Sequence, residues 1–112
     1  MVRNWYKIEN IAHDLSGGDY TIKLSNTFSG PGIIQADITS LNTGTIAVQG
    51  AAFPDATVAE HETYSTITLT NGTGITGGFV DLNFNAASCT LVISATAGTL
   101  NTIYIADGTW GK

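Results

Sequence analysis

The stretch Asn71–Val80, NGTGITGGFV, sets Gly72, Gly74 and Gly77 at the spacing G-x-G-x-x-G. In dinucleotide-binding folds this spacing ends a strand and opens a helix, whose N-terminal N–H groups and dipole hold a pyrophosphate. Ser65–Thr70, STITLT, reads as the required strand. The next segment, Phe79–Phe84 (FVDLNF), alternates apolar and polar residues and makes a poor helix. The ribose also needs an acid about 20 positions on, and after Asp81 the next is Asp107. The glycines are therefore read as a link between two strands, and no nucleotide or other cofactor is expected.

Two further groups carry residues suited to metals or acid–base work. His13-Asp14 and Asp19 flank Ser16-Gly17-Gly18, and Glu60-His61-Glu62 stands in the least strand-like part of the chain. A calcium loop spaces oxygen ligands as D-x-[DN]-x-[DN]-G, which the first group does not match. Zinc takes three or four His, Cys or carboxylate ligands, and the chain has two His and one Cys. Both groups read as solvated turns, so no metal is expected. No serine sits in a G-x-S-x-G elbow and nothing marks a glycosidase-type carboxylate pair, so no catalytic residues are assigned. Cys89, in AASCTLVI, lacks cationic or histidine neighbours and reads as a small buried hydrophobe. Asn71-Gly72-Thr73 matches the N-glycosylation acceptor, yet MVRNWYKIENIAHD has no apolar stretch of export-signal length. The tripeptide is accordingly read as a hairpin turn.

Such residues need a scaffold, and the composition limits what it can be. The 112 residues suit a single domain, 1–112, with a modest core. Charged residues are 12% and hydrophobic residues 43%, so polarity comes mainly from Thr, Asn, Ser and Gly. At net charge −5, four Lys and Arg are too few for the basic footprint of a nucleic-acid binder. No run approaches the roughly 20 apolar residues of a membrane helix. Neither nucleic acid nor membrane is an expected partner.

Alternation of period two recurs throughout. Tyr6 and Ile8 alternate with Lys7 and Glu9; Tyr20, Ile22 and Leu24 with Thr21 and Lys23; Ile34, Ala36 and Ile38 with Gln35 and Asp37. Ile46 and Val48, Ile67 and Leu69, Val80, Leu82 and Phe84, Leu91 and Ile93, and Ile103 and Ile105 complete about eight segments. Turn signals separate them, among them Ser29-Gly30-Pro31-Gly32, Asn42-Thr43-Gly44, Asn71-Gly72 and Ala97-Gly98. Short connections force antiparallel pairing. The reading is an all-β fold, an antiparallel two-layer β-sandwich of about eight short strands, Ig-like or jelly-roll-like. Its expected core is Ile22, Leu24, Ile34, Ile46, Val48, Ile67, Leu69, Val80, Leu82, Leu91, Ile93, Ile103 and Ile105. Asp55–Glu62, DATVAEHE, is read as one or two helical turns or an ordered loop.

Positive charge is confined to the ends: Arg3, Lys7 and Lys23, then nothing until Lys112. Solitary β-domains guard edge strands with Lys, Pro or bulges, yet here Lys is missing after the second strand and both prolines fall in loops. Either bulges and loops cover the edges, or other protein does. Trp5 alternates with Tyr6, and Tyr6 shares a face with Ile8, so Trp5 is expected to point outward. Trp110 follows the last strand. Arg3, Trp5, Lys7 and Trp110 are the expected partner-binding residues, because aromatic and Arg side chains outside a core are enriched at interfaces.

The segments STITLTNGTGITGGFVDLNF and CTLVISATAGTLNTIYIADGTW, 42 of the 112 residues, resemble in style the small all-β accessory virion proteins of tailed bacteriophages. These include head-decoration, head-fibre and small tail proteins. The resemblance rests on no residue-level motif. It implies a non-enzymatic structural protein of the virion, made in host cytoplasm, that oligomerises and binds a major capsid or tail protein. The alternative is a carbohydrate-binding or adhesive β-sandwich using Trp5, Trp110 and Tyr104 as sugar platforms.

Overall fold

The computed structural model describes residues 3–24 and 28–110, with the side chains of 5–24 and 28–107. The fold is all-β and antiparallel. Its strands are β1 (Arg3–Ile8), β2 (His13–Asp14), β3 (Tyr20–Lys23), β4 (Phe28–Ser29), β5 (Gly32–Ala51), β6 (Glu62–Thr68), β7 (Gly72–Val80), β8 (Asn85–Ala86) and β9 (Ser88–Trp110). Short 3-10 turns stand at Leu15–Gly17 and Val58–Glu60, the second inside the segment read as helical turns or loop.

The frame is one long ribbon. β5 and β9 pair from Ile33↔Ala106 to Ala51↔Ser88. β1, β2 and β3 line the outer side of β9 in succession, and β7 and β6 line the outer side of β5. β4 and β8 form a separate two-stranded patch. The ribbon bends at its middle. Ser40 and Thr43 take φ of 56° and 50°, Gly98 takes 133°, and the register slips between Thr39 and Asn42. Beyond the bend the two halves stack: a Cβ on Gly78 of β7 would lie 2.8 Å from the Ile67 side chain of β6. One layer is thus β1, the C-terminal half of β9, the N-terminal half of β5, and β7. The other is β3, the N-terminal half of β9, the C-terminal half of β5, and β6.

Alternation decides what lies between the layers. Ile34, Ala36, Ile38, Ile103 and Ile105 from the first layer meet Ile46, Val48, Ile67, Leu91 and Ile93 from the second in one cluster. Each large aliphatic chain so buried contributes about 1.5–3 kcal/mol. Eleven of the thirteen expected core residues are buried. Ile22 is half-buried and packs against the cluster.

Three expectations need correction. The strands are not uniformly short: β5 has 20 residues and β9 has 23, because Asn42-Thr43-Gly44 and Ala97-Gly98 bend the chain without taking it off its ladder. Asn71-Gly72 closes no hairpin. β6 and β7 each pair with β5, one after the other around the bend. Leu82 is 71% exposed. The strand stops at Val80, and Asp81 turns the chain by accepting the Asn83 N–H at 2.9 Å through its side chain.

Candidate functional site

The two layers differ in what covers their outer faces. On the second layer, the segment 52–61 folds over the Lys23 end of β3 and the Ser88 end of β9. Lys23 Nζ donates to the carbonyls of Pro54 (3.3 Å) and Ala56 (2.6 Å), and Ala56 is buried. His61 Nδ1 lies 2.8 Å from the Thr57 carbonyl oxygen, to which it must donate, and Nε2 lies 3.0 Å from Ser88 Oγ. Ser88 Oγ also lies 3.0 Å from the Phe53 carbonyl oxygen. A Ser–His contact suggests a nucleophile and base, but both residues are buried, 4% and 8% exposed, beneath their own loop. Here the pair ties the loop to β9.

The outer face of the first layer carries no such cover among the described residues. The strand registers set out its rows. Trp5, Ala106, Ile33 and Phe79 stand side by side across β1, β9, β5 and β7. Lys7, Tyr104, Gln35 and Gly77 form the next row; Thr102, Asp37 and Ile75 form the one after. Trp5 is 66% exposed, Phe79 82% and Ile75 58%. Because Gly77 has no side chain, the surface dips between Phe79 and Ile75. A hollow of about 320 Å³ lies on this face, lined by Trp5, Ile33, Gln35, Ile75 and Tyr104. Large exposed apolar side chains in one contiguous patch mark an interaction surface, unlike the same residues scattered singly.

Of the expected partner-binding residues, Trp5 and Lys7 fall at one end of this face. Trp5 points outward, as its alternation with Tyr6 requires. Lys7 also points outward, and its Nζ pairs with Glu9 Oε1 at 2.5 Å, which holds the ammonium pKa above its usual value. Its charge therefore has a partner within the chain. The backbones of Arg3 and Trp110 are paired at the end of the β1–β9 ladder, and their side chains lie outside the described residues. Sequence reasoning missed Ile33, Ile75 and Phe79. The available signal was the doublets Ile33-Ile34 and Phe79-Val80: two adjacent apolar residues in a strand put one of them on the outer face.

The chemistry-bearing groups are accounted for locally. Asp14 accepts from Ser16 N (3.0 Å) and Ser16 Oγ (2.7 Å), bonds that hold its carboxyl below the usual range. Glu60 accepts from Thr57 N (2.8 Å) and Thr57 Oγ1 (3.0 Å), with the same consequence. His13 Nε2 meets the Gly18 carbonyl oxygen at 2.9 Å. Among the described residues no three His, Cys, Asp or Glu side chains converge as a metal site would require. Cys89 is fully buried, and desolvation pushes its thiol up to about 12, so at neutral pH it is not a nucleophile.

The glycine run is strand. Gly72 and Gly74 take φ of 121° and 135°, with open space where a side chain would stand. At Gly77 a Cβ would fall 2.0 Å from the Ile34 carbonyl oxygen on β5. These glycines allow β7 to leave the bend and lie close on its neighbour, and no helix comes after them among the described residues. Comparison of the chain with protein-family models, curated proteins and solved structures found no match.

Proposed function

We propose that this protein is a non-enzymatic structural component of a virion, of the kind tailed bacteriophages carry on head or tail, and that it docks on other virion proteins through the outer face of its first layer. The observation that carries the docking is the apolar row Trp5–Ala106–Ile33–Phe79, which crosses four strands with Trp5 and Phe79 largely exposed, while the chain's own loop covers part of the opposite outer face. Burying such a row on a partner removes apolar area from water at about 25 cal/mol per Å². Desolvated aromatic anchors dominate the energy of interfaces. The phage setting rests on the style of the sequence: acidic, cysteine-poor and rich in Thr, Asn and Gly. Mass spectrometry of particles purified from the source culture tests it. The chain should be present in fixed ratio to the major capsid or tail protein; its confinement to the soluble fraction refutes the virion assignment.

A second reading has its own support. Trp5, Tyr104 and Gln35 line the hollow together, from β1, β9 and β5, and aromatic planes near an amide suit a sugar ring. A carbohydrate-binding module would be retained on a glycan surface and released by free sugar, whereas a virion component would not.

A further inference from the structure

We propose that two copies of the chain pair edge to edge through β7, antiparallel, with Gly77 of each copy opposite Gly77 of the other. Such a pairing gives the far side of the docking face a partner, and it rests on the reading that this face is an interface.

β7 pairs with β5 on one side and with no strand on the other among the described residues. A free edge offers a row of unpaired N–H and C=O groups to any strand that can reach it, and charged side chains are the usual guard. The other four strands flanking the β5–β9 ribbon all carry charge: Arg3 and Lys7 on β1, Asp14 on β2, Lys23 on β3 and Glu62 on β6. β7, GTGITGGFV, carries none. In a chain of net charge −5, an uncharged edge is where a second copy meets the least repulsion.

The strand is also self-complementary. Ile75 and Phe79 lie two residues either side of Gly77, point to the same outer face and are 58% and 82% exposed. A two-fold axis at Gly77 sets each Ile75 opposite the other copy's Phe79, an aromatic–β-branched pair of the kind that stabilises antiparallel strands. The glycines opposite one another leave room for both rings. The result is one sheet across two copies, with the apolar rows of both running into each other at the junction.

Sedimentation equilibrium of the purified chain from micromolar to sub-millimolar concentration tests the pairing. The parent should reach twice 11.7 kDa. Ile75→Lys and Phe79→Lys should stay monomeric with unchanged circular dichroism and unfolding midpoint, because both side chains are already exposed in the single chain. Register is read by cysteine cross-linking: Ile75→Cys mixed with Phe79→Cys should give a heterodimer under mild oxidation, and Ile75→Cys alone should not. A parent that is monomeric at every concentration, a dimer that survives both lysine variants, or cross-linking of Ile75→Cys to itself overturns the proposal. A monomeric parent that still pellets with particles sinks the edge pairing and leaves the docking reading standing; a dimeric parent that does not pellet does the reverse.

Discussion

Replacing Gly77 with alanine tests the account of the glycine run at its tightest point. The new Cβ would sit 2.0 Å from the Ile34 carbonyl oxygen, 2.6 Å from Gln35 Cα and 2.8 Å from the Ile34 carbonyl carbon. Carbon and oxygen sit comfortably at about 3.3 Å, so β7 must move roughly 1.3 Å away from β5. That shift takes the adjoining ladder bonds past their working length of about 3.2 Å. Losing two or three bonds of about 1 kcal/mol each, with residual overpacking of about 1–3 kcal/mol, gives a cost of about 3–6 kcal/mol. Gly74→Ala has open space but a φ of 135°, so only backbone strain of about 1–3 kcal/mol applies. Gly17→Ala meets nothing within 4 Å and should cost under about 0.5 kcal/mol. Urea unfolding of the three variants, read at a common m-value, gives the order directly. A Gly77 variant as stable as the Gly17 variant refutes the packing argument. Saturable calorimetric heat with ATP, NAD or FAD that vanishes in Gly74→Ala would restore the phosphate-cradle reading.

Burial and the loop contacts have further consequences. Leu69→Ala should cost about 2–5 kcal/mol in denaturant unfolding, because Leu69 is 5% exposed, whereas Leu82→Ala should cost little. Ser88→Ala should leave the core intact but loosen the segment 52–61, seen as faster hydrogen exchange confined to that segment. Tyr6 and Cys89 are each pushed up to about 12 in the folded chain, Tyr6 mainly by burial and Cys89 by burial alone. Unfolded Cys and Tyr ionise near about 8.5 and 10, so the unfolded state sheds these protons first. Stability should therefore hold below about pH 8.5 and fall as pH rises toward 12, and Tyr6→Phe should flatten the upper part of that fall.

Alternation made the interior legible because a buried strand face tolerates little else. Ile34, Ala36 and Ile38 could face only one way once Gln35 and Asp37 were assigned outward. The topology was not legible, since a bend inside a strand and a reversal between strands use the same residues. Asn42-Thr43-Gly44 and Ala97-Gly98 read equally well as either, and only the pairing of β5 with β9 on both sides of the bend decides between them. Leu82 was misplaced because Asp81 outcompetes alternation by capping its own turn. At the candidate site Trp5 was found from its parity with Tyr6. Ile33 and Phe79 were legible from the same parity, each standing one residue before an inward Ile34 or Val80, but the reading stopped at the inward member of each doublet. Lys7 was read without the Glu9 carboxylate two positions along the same face.

Co-sedimentation with purified particles is the most direct test of the docking face. The parent chain, a Trp5→Ser/Ile33→Ser double variant, a truncation lacking residues 1–7 and a Thr66→Ala control on the opposite layer are each mixed with particles stripped of the endogenous protein. All that fold, as judged by circular dichroism and unfolding midpoint, are pelleted at equal concentration. The account predicts that the parent and the control pellet with the particles while the folded face variant stays in the supernatant. A folded Trp5→Ser/Ile33→Ser variant that pellets as fully as the parent contradicts it.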